Sequence, residues 1–226
     1  MQRNLSIRQW TLLGLLFLIA VSLLGTSFRA RAEDNEGQKE TFQIRPLNPV
    51  PMSPDPATGA VRLNRTRQEL SATVHVTDLN PNSAFTVWVA VFNNPEGCLT
   101  NPAGPVHCSA TDLAAVPNPA KSSFFNVGAF VTGAINGTAN TSIRIRSGLP
   151  PEGAFILWGK GGLNDNGVTP GLHEGNGFGA EVHIVIRAHG LIIPTAITDQ
   201  LSMFNGGCPP NTCANVDSAS FPSVGN

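Results

Sequence analysis

The stretch Glu181-Val182-His183-Ile184-Val185-Ile186-Arg187-Ala188-His189 places five residues with usable side-chain chemistry or exposure on alternate positions of one segment. Side chains on a strand alternate, so Val182, Ile184, Ile186 and Ala188 take the core side. Glu181, His183, Val185, Arg187 and His189 take the other. Residues two apart on a strand are about 6.6–6.8 Å from one another, so Glu181 and His183 can share one ion. His183 and His189, roughly 20 Å apart on a regular strand, cannot. A metal site therefore needs a further ligand, His75 from another strand or His173 and Glu174 from the preceding loop. Two or three imidazoles with one carboxylate suit zinc or another transition metal, and the candidate metal set is His75, Glu181 and His183.

The same alternation turns Arg144 and Arg146 outward, with Ile143 and Ile145 inward. If their strand shares a sheet with Arg187 and His75, an otherwise acidic protein carries a basic face. Such a face binds an acidic ligand through charge-assisted hydrogen bonds. His183, Arg187, Arg144 and Arg146 are thus the candidate ligand-binding residues.

Other candidates are weaker. Asn164-Asp165-Asn166-Gly167 resembles half of a calcium loop, but Gly162 and His173 occupy its first and twelfth positions, so turn chemistry is the better reading. Trp88 lies in a run apolar on both faces and reads as core; the absence of tyrosine also weakens a sugar-stacking platform. No G-x-S-x-G elbow, H-E-x-x-H helix or phosphate-binding G-x-x-x-x-G-K-[ST] loop occurs. Glu174 and Glu181 could form an acid–base dyad, although nothing in their spacing selects them.

These side chains need strands to position them. Leu70–Asp78 alternates cleanly, with Ala72, Val74 and Val76 on one face and Thr73, His75 and Thr77 on the other. Phe85–Phe92 is apolar on both faces, as a central strand covered on both sides should be. Ser123–Ile135 reads as a strand bulged at its glycines, and Asn136-Gly137 as the turn of a hairpin leading into Thr138–Arg146. Phe155–Trp158 and Ala180–Ala188 add two strands. Ile197, Leu201 and Phe204 recur at helical spacing before Gly206-Gly207, predicting one short helix. The fold class expected is all-β: a single antiparallel β-sandwich over residues 60–226 with long stapled loops.

Before that domain come two other segments. Arg3 and Arg8, the apolar run Thr11–Gly25 and Ala30-Arg31-Ala32 form the three parts of a secretory signal peptide at residues 1–32. The run has about 15 residues, short of the roughly 20 of a spanning helix, so cleavage is favoured over a retained membrane tether. Residues 33–59 read as a Pro-rich leader, because Pro46, Pro49, Pro51, Pro54 and Pro56 cannot donate to a sheet. Residues 1–32 hold four of the 14 basic residues and none of the 15 acids, leaving the remainder at net −5 with histidines neutral. That charge disfavours a nucleic-acid partner. Export to a periplasm or outside the cell favours oxidised cysteines. The local pairing Cys98–Cys108 and Cys208–Cys213 asks least of long-range geometry. Zinc is the rival for these cysteines, whose pairs are separated by nine and four residues.

Three stretches, FTVWVAVFNNPEGC (85–98), GAEVHIVIRAHG (179–190) and QLSMFNGGCPPNTC (200–213), resemble a group of uncharacterised exported bacterial proteins. The resemblance implies a secreted all-β domain and supplies no activity or site residues. The reading that follows is a non-catalytic binding or structural module for an extracytoplasmic protein or glycan. It needs no cofactor and, once cleaved, touches no membrane. The alternative is a metal-dependent hydrolase built on His75, Glu181 and His183, in which the ion activates a water.

Overall fold

A computed structural model describes residues 41–46, 48–49, 58–100, 104–135, 137–148 and 150–225. The expected signal segment and the first part of the Pro-rich leader lie outside these residues. Among them the strands are β1 (Thr41–Pro46), β2 (Asn48–Pro49), β3 (Thr58–Arg65), β4 (Glu69–Thr77), β5 (Ser83–Phe92), β6 (Ser122–Val131), β7 (Ala139–Arg146), β8 (Ile156–Trp158), β9 (Glu181–Leu191) and β10 (Ala214–Phe221). Two short helices join them, α1 (Ala110–Leu113) and α2 (Ile197–Ser202). The strands form two antiparallel sheets, ordered β1-β3-β4-β7 and β2-β10-β9-β5-β6-β8. The expected antiparallel β-sandwich is therefore the fold. No helix among the described residues is long and apolar enough to cross a membrane.

The core between the sheets follows from period-two patterning. Leu70, Ala72, Val74 and Val76 of β4 meet Phe85, Val87, Val89 and Val91 of β5 and Val182, Ile184 and Ile186 of β9. All ten residues of β5 are buried, because its other face is covered too. There Trp88, Ala90 and Phe92 pack with Phe124, Leu157, Leu113 and both Cys98 and Cys108 in a second core. Trp88 organises it, with the rings of Phe124, Phe155 and Phe204 centred 5.3, 6.1 and 5.1 Å away. The covering layer comes from the segment between β5 and β6 that carries Cys98, Cys108 and Leu113 and from the segment after α2 that carries Phe204, while β8 is the edge strand of the same sheet. Both disulfides have the local pairing, with Cα–Cα distances of 5.1 Å for Cys98–Cys108 and 5.9 Å for Cys208–Cys213.

Two expectations fail locally. The Pro-rich leader does not stop short of the domain. Thr41–Pro46 pairs with β3, and Asn48–Pro49 pairs with β10, each at a sheet edge. Edge positions are where proline is tolerated, since one side of the strand needs no ladder partner. Pairing with the sandwich accordingly begins at Thr41, not near residue 60. Nor do β6 and β7 form a hairpin, because β6 pairs with β5 and β8 while β7 pairs with β4 in the other sheet. Gly137 instead lies against the backbone of Leu79, whose N–H donates to its carbonyl at 3.0 Å. A Cβ there would sit 1.6 Å from the Leu79 carbonyl oxygen, so close backbone approach demands the glycine. Asn136 lies outside the described residues.

Candidate functional site

The outward face of β9 is sealed under the second core, and its polar residues are spent there. Glu181 is buried (1% exposed). Its carboxylate accepts from the backbone N–H of His107 at 2.8 Å and of Cys108 at 2.9 Å, and from His183 Nε2 at 2.7 Å. It thereby anchors the Cys98–Cys108 loop to the sheet. Burial pushes the carboxyl pKa up, but the hydrogen bonds from His183, His107 and Cys108 outweigh it and hold the group below its ordinary value. His183 lies against the Phe92 ring. Arg187 spends its guanidinium on Phe204 O (2.6 Å), Asn215 Oδ1 (2.9 Å) and Asn205 Oδ1 (3.0 Å), with its Cζ 3.7 Å from the centre of the Phe204 ring. Burial lowers its pKa to about 10. Arg187 is a structural clamp, not an exposed ligand contact.

His75, Arg144 and Arg146 lie in the other sheet, on its solvent side. His75 Nδ1 pairs with Asn140 Oδ1 at 2.7 Å, on the neighbouring β7. Arg144 and Arg146 both reach Glu69, at 2.7 and 3.6 Å. The outer faces of the two sheets point in opposite directions. His75 therefore does not join Glu181 and His183 in a metal set, and Arg187 does not extend the Arg144/Arg146 face. The physical reason is strand order, which alternation within single strands does not reveal. Asp165 accepts from Gly161 N and Gly167 N within its own loop, as turn chemistry requires.

A different constellation gathers at one end of the sandwich, in a cleft of about 660 Å³. Arg67 comes from the β3–β4 turn, Lys121 from the start of β6, and His173, Glu174, Asn176 and Phe178 from the loop before β9. Asn93, at the end of β5, holds the Lys121 segment and the loop before β9 together. Its Nδ2 donates to Lys121 O and Gly171 O, and its Oδ1 accepts from His173 N at 2.8 Å. Asn176 Nδ2 closes the ring by donating to Asn93 O at 2.7 Å. Gly177 N donates to Arg67 O, and a Cβ on Gly177 would meet Thr66 O at 1.8 Å, so this loop seats directly on the turn that carries Arg67. Lys121 has φ +48°, a left-handed backbone rarely adopted by a side-chain-bearing residue.

Two features give the cleft chemical direction. Arg67, Lys121 and His173 face one acid, Glu174, so the lining has an excess of donors and positive charge. His173 Nε2 is buried without a hydrogen-bond partner. A second cleft of about 460 Å³ carries Arg144 and Arg146. Gln68 Oε1 joins the two, accepting from Ser147 Oγ at 2.7 Å and Gly175 N at 3.3 Å. Sequence reasoning singled out His173 and Glu174 but not Arg67, Lys121 or Asn93. These lie on separate turns, and no local spacing connects them.

Among the described residues, the cluster of three His, Cys, Asp or Glu side chains with mutually close ligating atoms is His189, Cys208 and Cys213. His189 is fully buried, and burial lowers its pKa from the ordinary 6.5. Arg187 adds to the effect, and the Gly206 carbonyl opposes it. An unfolded chain takes up a proton near pH 6.5 that the folded chain resists. Stability is then intact above pH 6.5 and declines as the pH falls below it. The melting temperature should drop between pH 7.5 and 5.5, and less so in a His189→Gln variant at equal ionic strength.

No protein-family model matches this sequence, and no curated protein or solved structure matches it either.

Proposed function

We propose that this chain is an exported, non-catalytic binding module, of the group its three motif stretches resemble, that takes an acidic ligand in the Arg67/Lys121/His173 cleft. An anionic glycan is the ligand class that fits. The observation that carries this reading is the convergence of three donor side chains on one cleft, with His173 Nε2 buried and unpaired. A carboxylate or sulfate oxygen in the cleft would accept from Arg67 and Lys121 together. Phe178 supplies an apolar wall for a sugar ring. The Arg144/Arg146 cleft extends the surface for a longer ligand, and Glu69 keeps it weaker. Two disulfides with no free cysteine among the described residues support an oxidising location, secreted or periplasmic, after removal of residues 1–32. Glu181 is bound to His183 and to the disulfide loop, and His75 lies on the other sheet, which counts against a metal site built on those three residues.

The test is calorimetric titration with oligogalacturonate and with heparin oligosaccharides, using neutral gluco-oligosaccharides as the control. Acidic oligomers should bind with an affinity that falls as salt rises, and neutral ones should not. Arg67→Ala and Lys121→Ala should each weaken binding by about 10- to 100-fold, the equivalent of one charge-assisted hydrogen bond. Equal binding of neutral oligomers, or binding indifferent to both substitutions, removes the proposal.

A further inference from the structure

The corner where β9 leaves the sheet holds donor atoms in an arrangement that the glycan reading does not use. His189 is buried at the end of β9, and the Cys208–Cys213 loop folds over it. One atom of each, His189 Nδ1 and the two Sγ, lies within 4.8 Å of the others. The Nδ1 to Cys213 Sγ distance is 3.4 Å. Gly206 O points into the same space, 2.9 Å from Nδ1 and 3.7 and 3.8 Å from the sulfurs of Cys208 and Cys213. One nitrogen, two sulfurs and one oxygen therefore converge. The four residues between the cysteines fall within the C-x2–4-C spacing of zinc ligand pairs.

The far side of the imidazole is also held. His189 Nε2 lies 2.8 Å from Thr86 Oγ1, which accepts from Trp88 Nε1–H at 2.7 Å. Metal-ligating histidines use such a second hydrogen bond to fix ring and tautomer. Around the site, Gln200 Nε2 and Asn211 Nδ2 donate to the carbonyls of His189 and Leu191 and pin the loop to β9. Pro209, Pro210 and Thr212 are exposed and the two cysteines half-buried, whereas Cys98 and Cys108 are 4% and 5% exposed. A reductant reaches the second pair first.

We propose that Cys208, Cys213 and His189 form a redox-gated site for a thiophilic d10 cation, of which Zn2+ is the type. A dithiol transfers two electrons to the Cys208–Cys213 bond and leaves as its own disulfide, giving two protein thiols. The cation then displaces one proton from each thiol. The imidazole proton that Nδ1 gives to Gly206 O moves to Nε2, and the Thr86 hydroxyl, which had donated to Nε2, rotates its proton away and accepts from Nε2–H through a lone pair. Nδ1 is thereby freed as a ligand. Oxidised, the same three residues hold no cation.

The test uses the full chain, exposed briefly to a dithiol and freed of it under anaerobic conditions. Alkylation mass mapping establishes which pair has opened, and near-ultraviolet circular dichroism establishes that the fold persists. Co2+ is the probe, followed by competition with Zn2+. The expected result is one Co2+ per chain with thiolate-to-metal charge-transfer absorption, displaced by Zn2+ and absent from the oxidised chain. Thr86→Val, which leaves the three ligands in place, should weaken binding by about 10- to 100-fold. Four results would overturn the proposal: no stoichiometric Co2+ uptake after opening, equal uptake by the oxidised chain, equal uptake by a Cys208→Ser/Cys213→Ser variant, or loss of the fold when this pair alone is opened.

Discussion

Replacing Arg65 by leucine should lower the unfolding free energy by about 3–5 kcal/mol. Arg65 points from β3 into the sandwich and is fully buried. Its guanidinium donates to Gly177 O and Ala180 O at 2.9 and 2.7 Å, and to Phe221 O and Pro222 O at 3.2 and 3.1 Å. One side chain thus joins β3, the loop entering β9 and the end of β10. Burial lowers its pKa to about 10, and the nearby Glu181 charge opposes that. Leucine would supply apolar contact but leave carbonyls at four residues without this donor, and desolvated acceptors cost more than the packing returns. Because Gly177 and its neighbours carry the cleft wall, the variant should also lose acidic-ligand affinity while still folded at low temperature. Chemical denaturation with a matched titration at 10 °C would separate the two effects. A loss of under 1 kcal/mol would mean that the four carbonyls find other partners.

The second large effect is at Glu181. Glu181→Ala removes the acceptor of three donors at once, two of them backbone N–H groups beside a disulfide. The expected destabilisation is about 3–5 kcal/mol. Glu181→Gln keeps one carbonyl oxygen and should lose about half of that. The pH dependence separates charge from packing. The carboxylate is held below its ordinary 4.5 in the fold, so its contribution is complete above that pH and fades as the pH falls through the lowered value. The glutamine variant should lack this acid-side component, while keeping the decline below pH 6.5 that belongs to His189. If the denaturation profiles of wild type and Glu181→Gln run parallel from pH 5 to 3, the carboxylate is not the group described.

What the sequence made legible were elements with strong internal pattern. Alternation in β4 assigns Ala72, Val74 and Val76 to the core without ambiguity, and the two-faced apolarity of β5 predicts its place inside a sheet covered on both sides. Short loop spans made the disulfide pairing readable. β10 escaped notice because Ala214–Phe221 is built of small and polar residues, and a bulge between Asn215 and Asp217 breaks its alternation. The edge strands β1 and β2 were hidden by prolines, whose missing donors matter less where one side of a strand faces outward.

The site was less legible than the fold. Alternation in β9 correctly separates Glu181, His183, Arg187 and His189 from the apolar face, but it cannot tell solvent from a second core. The covering residues, such as Phe204 and Asn215, come from far along the chain. The Arg67/Lys121/His173 cleft is assembled by Asn93, which joins the Lys121 and His173 segments across separations of up to 83 residues, and by Gly177, which seats on the Arg67 turn; no local signal encodes such links. Arg65 stood at an inward position next to Val61 and Leu63, and a charged residue in core phase was the one hint available.

The most direct test of the central claim is a residue-resolved NMR titration of the 15N-labelled protein with a short oligogalacturonate. Saturable shifts are expected at the amides of Arg67, Lys121 and His173 through Asn176, fading with added salt and lost in Arg67→Ala/Lys121→Ala. Shifts confined elsewhere on the surface, or none at millimolar ligand, would contradict that claim.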